Sequence, residues 1–88
     1  MATKKNMPEV VGGWCDVAAY VKALARNLRL EGIKARALNT ARCRASAVGD
    51  ATHQKHLELF VPVTDLATAK RYLTSIGLPE AAKALSAE

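Results

Sequence analysis

Residues 30–38 read Leu30-Glu31-Gly32-Ile33-Lys34-Ala35-Arg36-Ala37-Leu38, and within this stretch the chain changes its period. Upstream of it, Val17, Val21, Leu24 and Leu28 recur at helical spacing, with Tyr20 and Ala25 beside them and Lys22, Arg26 and Arg29 on the other side. Asp16 is placed as an N-cap, since its carboxylate can accept from the first orphan N–H groups, so a helix is expected over 16–31. Gly32 suits the left-handed position just past a helix C-terminus. From Ile33 onward the pattern has a period of two. Ile33, Ala35 and Ala37 alternate with Lys34, Arg36 and Leu38, as in a half-buried strand. A helix ended by glycine and followed at once by a strand is an αβ unit with a short loop.

Downstream, 39–54 has no clean period and is expected to be a long basic loop or a hairpin turning at Gly49-Asp50. The alternation then returns. Leu57, Leu59 and Val61 face one way, and His56, Glu58 and Phe60 the other, with Pro62 near the strand's end. Thr64 or Asp65 is expected to cap a second helix whose stripe is Leu66, Ala69, Leu73 and Ile76, closed by Gly77. Pro79 suits the first turn of a short third helix to about Ser86, with Ala82 and Leu85 on its inner side. Upstream of the first helix, Glu9-Val10-Val11 is a short extended candidate that Gly12-Gly13 is expected to break. Residues 1–8 read as a flexible basic tail, leaving 9–88 as a single domain.

The order is (β)αββαα. Strands 33–38 and 55–61 are expected to be antiparallel neighbours, with the helices on one face of a small sheet. This predicts an α+β fold, a small sandwich of ferredoxin-like type lacking its final strand. The junctions Leu30-Glu31-Gly32-Ile33 and Val61-Pro62-Val63-Thr64-Asp65-Leu66-Ala67-Thr68-Ala69 resemble those of the small signal-transducing domains related to PII proteins. The resemblance spans about residues 16–77 and implies a regulatory, ferredoxin-like module. The chain departs from that family in its broken first strand and its basic 39–54 segment. It has no glycine-rich nucleotide loop of the PII type, so nucleotide binding is not implied.

Charge is the most informative functional feature. The chain has 88 residues and a net charge of +5. Residues 22–55 hold eight bases against two acids, a net +6, whereas the rest of the chain holds five bases and six acids. If the helices cover the Leu57/Leu59/Val61 face, then Lys34, Arg36 and Leu38 share the opposite face with His56 and Phe60. The expected partner-binding residues are therefore Lys34, Arg36, Arg42, Arg44, His56 and Phe60. The first reading is a small non-enzymatic regulatory protein that engages an acidic protein surface through this face and the 39–54 segment, as a homodimer. The second is single-stranded nucleic-acid binding on the same face, with Phe60 stacking bases and the cations holding phosphates.

The third reading is a thiol enzyme or redox protein centred on Cys43, whose neighbours Arg42 and Arg44 favour thiolate. Cys15, Cys43, His53 and His56 nominally form a Cys2His2 set. The cysteines are not closely paired and the histidine spacing is short, so no metal and no cofactor is expected. No apolar run approaches the ~18 residues of a membrane span, and no apolar stretch follows the basic N-terminus. A cytoplasmic protein without a membrane partner is expected, with Cys15 and Cys43 read as two small, mostly buried thiols and a single bridge as the less favoured alternative.

Overall fold

The alternation of His56–Pro62 governs the architecture. In the computed structural model, which describes residues 9–41, 43 and 55–85, this segment is the central strand of a three-stranded antiparallel sheet. The elements are β1 (Val10–Val17), α1 (Ala18–Leu30), β2 (Arg36–Leu38), β3 (His56–Pro62), a 3-10 turn (Val63–Asp65), α2 (Leu66–Ser75) and α3 (Pro79–Ala84). The sheet order is β1-β3-β2, that of a ferredoxin-like sheet without its fourth strand. The expected tail at 1–8 and most of the 39–54 connection lie outside the described residues.

One core holds the fold together. Leu57, Leu59 and Val61 of β3 meet Val21, Leu24, Ala25 and Leu28 of α1, Ala69 and Leu73 of α2, and Ala81, Ala82 and Leu85 around α3. The helices α1, α2 and α3 thus cover the same face of the sheet. Burying a side chain such as Leu59 contributes about 1.5–3 kcal/mol relative to leaving it exposed. Among the described residues, no helix is long and apolar enough to cross a membrane.

Both glycine-terminated helix ends follow from local hydrogen bonding. At the end of α1, Gly32 has φ +91°, its N–H donates to Arg29 O, and the Ile33 N–H donates to Leu28 O. At the end of α2, Gly77 has φ +88° and the same pair of bonds runs from Gly77 to Thr74 and from Leu78 to Leu73. These are Schellman ends, which need a residue free to adopt positive φ and satisfy otherwise orphaned carbonyls.

Several local expectations are corrected. Gly12-Gly13 does not break β1. Val11 pairs with Val61 and Trp14 with Leu59, so the two glycines oppose Phe60 alone in a β-bulge. Gly13 has φ +136°, and its bare Cα lies against the Ala84 carbonyl, where a side chain has no room. The extra residue inverts the alternation of β1. Trp14 therefore joins the core face with Leu59, while Cys15 falls on the outer face opposite Glu58.

Asp16 is drawn into β1 opposite Leu57, so it does not cap α1, which begins at Ala18 without a side-chain cap bond. Its Oδ1 accepts from the Val17 N–H at 2.6 Å. Asp65 stands at the N-cap of α2 but also makes no side-chain cap bond, and Thr64 lies inside the 3-10 turn. Ile76 is 44% exposed because the α2 stripe ends at Leu73, before the Schellman turn. β2 is shorter than expected. The Ala35 N–H bonds to Ile33 O and the Ala35 carbonyl accepts from Arg29, so the ladder starts only at Arg36. Ile33 and Ala35 are nevertheless buried, on the side their alternation predicts.

Cys15 and Cys43 are not separate thiols. They form a disulfide with Cα atoms 5.8 Å apart. The bulge is the reason, since it turns Cys15 to the face over which Cys43 passes.

Candidate binding site

The outer face of the sheet is not uniformly open. Arg36 stands opposite Phe60, and Leu38 opposite Glu58, as the alternation requires. Thr40 and Cys43, however, lie over the centre of this face. The Thr40 hydroxyl donates to Glu58 Oε1 at 2.8 Å, and the Cys43 N–H donates to Thr40 Oγ1 at 3.4 Å. Cys43 is then tied to β1 through Cys15. Glu58, expected on an open surface, is only 2% exposed as a result. Phe60 is half-buried, with its ring edge against Gly12.

The predicted site residues separate into three groups. Lys34 and Arg36 are exposed at the β2 edge and line one cleft. Phe60 and His56 lie further in. His56 is half-buried opposite Val17, and its Nδ1 is buried without a hydrogen-bond partner. Arg42 and Arg44 lie outside the described residues. Cys43, the proposed thiol nucleophile, is fully buried and bonded to Cys15, so it does not present an exposed thiolate.

The cleft at the β2 edge has a volume of about 480 Å³ and is lined by Arg29, Gly32, Ile33, Lys34, Ala35 and Arg36. Among the described residues, three cations and no acid line it. Arg29 comes from the last turn of α1, where a base also suits the helix dipole. Its guanidinium folds back over the turn and donates to the Ala35 carbonyl at 2.8 Å. That bond uses one N–H of a five-donor group and fixes the plane of the rest. The cleft wall is largely apolar, as the aliphatic stems of the three bases allow. Such a site suits a carboxylate or phosphate carried on an extended chain.

Sequence spacing counted Arg29 in the basic segment without assigning it to the site. Its placement in the last turn before Gly32, which reverses the chain, was the available signal.

A second basic groove, of about 600 Å³, runs between α2 and α3 and includes Lys70, Arg71 and Lys83. Its hydroxyls are committed to the helix itself, Thr74 to Lys70 O and Ser75 to Tyr72 O. It lies on the helix layer, away from the sheet edge.

No family model matches the chain, and comparison with curated proteins and with solved structures yields no match either. The resemblance to PII-related domains therefore rests on the two junction motifs alone.

Proposed function

We propose that the chain is a small non-enzymatic binding protein that engages an acidic segment of a partner protein at the β2 edge. The observation that carries this reading is the convergence of Arg29, Lys34 and Arg36 on one cleft that no acid lines among the described residues. The cleft lies at the start of β2, an edge strand among the described residues, where an extended peptide can add main-chain hydrogen bonds to the charge contacts. A regulatory role in the cytoplasm and a homodimer paired through a sheet edge belong to the same reading. Cytosolic thiols are kept reduced and disulfides there are rare, so a cytoplasmic location requires that the Cys15–Cys43 bridge open and close.

One observation favours single-stranded nucleic acid as the second reading: Arg36 stands directly opposite Phe60. Against it, the Phe60 ring is half-buried against Gly12, and Thr40 and Cys43 cover the platform beside it.

Fluorescence anisotropy with a labelled oligoglutamate peptide and a labelled single-stranded oligonucleotide of equal charge tests the choice. The expected result is peptide binding weakened about tenfold or more in Lys34→Gln/Arg36→Gln, as loss of two charge-assisted contacts implies. Equal affinity in the double variant sinks the cleft reading. Oligonucleotide binding that survives near-physiological salt and is lost in Phe60→Ala moves the second reading to first place. Light scattering on the same samples reports the dimer, and a monomer mass removes that part.

A further inference from the structure

Three metal-ligating side chains that are far apart in sequence converge on the outer face of the sheet. Cys15 Sγ, Cys43 Sγ and a carboxylate oxygen of Glu58 lie within 4.8 Å of one another. The Gly12-Gly13 bulge sets Cys15 directly opposite Glu58, and Cys43, beyond the end of β2, is bonded to Cys15. Glu58 and Cys43 are buried, and the Thr40 hydroxyl holds Glu58 Oε1. A carboxylate oriented by a neighbour that is not itself a ligand is the arrangement that supports metal ligands.

We propose that Cys15, Cys43 and Glu58 bind zinc(II) when the disulfide is reduced, so that one cluster alternates between a disulfide and a metal centre. The reductant is an external dithiol. It supplies two electrons, the Cys15–Cys43 S–S bond breaks, both protein sulfurs become thiols, and the dithiol closes to its own disulfide. Zinc(II) then replaces the two thiol protons, which pass to solvent. Two thiolates and the Glu58 carboxylate supply three ligands, and water fills the fourth position.

The dimensions suit this exchange. Zinc–sulfur bonds of ~2.3 Å at a tetrahedral angle place two sulfurs roughly 3.8 Å apart. A disulfide holds them at ~2 Å, so the opening is about 2 Å, within reach of rotation about the cysteine side chains. The donor set also selects the ion: thiolates favour zinc over calcium or magnesium. The cluster replaces the nominal Cys2His2 set. His56 is not part of it, and His53 lies outside the described residues. This site is separate from the basic cleft and does not depend on the binding reading.

Cobalt(II) titration of the full chain tests the proposal, with the chain reduced by a phosphine, kept free of oxygen, and zinc(II) added as competitor. A thiolate-to-cobalt charge-transfer band that saturates at equimolar metal is expected, bleached by zinc and missing from the oxidised chain. Glu58→Gln keeps the side-chain shape and an acceptor for Thr40. It should weaken binding about tenfold or more, with an unchanged far-ultraviolet circular dichroism spectrum. No charge-transfer band in the reduced wild-type chain overturns the proposal, and so does equal metal binding by the oxidised chain. Undiminished affinity in Glu58→Gln overturns it as well.

Discussion

Replacing Gly12 with alanine should destabilise the protein by about 1–2 kcal/mol, because the bulge is packed and not merely permissive. A Cβ at this position falls 2.6 Å from Phe60 Cε2, 2.8 Å from Phe60 Cδ2 and 2.8 Å from Glu58 Oε2. Ordinary carbon contacts need about 3.5–4.0 Å, so the shortfall is about 1 Å on the ring side. Phe60 is half-buried and its ring can swing outward. Glu58 is held by Thr40 beneath the Cys15–Cys43 bridge and cannot follow. Overpacking of this kind costs about 1–3 kcal/mol. Restricting the unfolded chain by Gly→Ala offsets about 0.4–1 kcal/mol of that, so the middle of the overpacking range leaves a net loss of about 1–2 kcal/mol.

For a domain of this size the net loss lowers Tm by roughly 4–16 °C. Thermal unfolding of the oxidised chain, followed by circular dichroism at one pH and salt concentration, reads it directly. Gly12→Ala/Phe60→Leu should recover part of the loss, since the shorter side chain removes the two ring contacts. An unchanged or higher Tm in Gly12→Ala would refute the packing of the bulge described above.

Two further outcomes concern stability. Reducing the Cys15–Cys43 bridge, which closes a sequence separation of 28 residues, should destabilise the metal-free chain by about 3–4 kcal/mol through the entropy returned to the unfolded state. Urea unfolding with and without a phosphine measures this, and identical midpoints would show that the bridge constrains nothing. Leu59→Ala removes a fully buried side chain from the central strand and should cost about 2–5 kcal/mol. A loss below 1 kcal/mol in the same urea experiment would contradict the placement of Leu59 at the centre of the core.

The regular parts of the fold were legible because each depends on neighbours in sequence. Val21, Leu24 and Leu28 mark the buried stripe of α1 by spacing alone. Gly32 and Gly77 end their helices through bonds that span six residues or fewer, and Leu57, Leu59 and Val61 declare the buried face of β3 by alternation. The placement of Arg36 opposite Phe60 was legible for the same reason, since the period of a strand assigns each side chain a face. Asp16 and Asp65 misled because a good capping residue states only a local preference. At Asp16, pairing of β1 with Leu57 competed and won.

By itself, then, the sequence determined the order of the elements, the antiparallel pairing of β2 with β3, the core stripe and the basic character of one surface. All of these follow from local periodicity and from composition. Only the tertiary structure decided the rest. A bulge opposite Phe60 inverts the alternation of β1, and no local pattern signals that inversion because it exists only in register with another strand. The inversion turns Cys15 toward Cys43 and Glu58, joining residues from three separate parts of the chain. Arg29 reaches the cleft with Lys34 and Arg36 because the chain reverses at Gly32 and the Ala35 carbonyl fixes its guanidinium. Proximity across strands and turns is a property of packing, and packing is set by the whole chain at once.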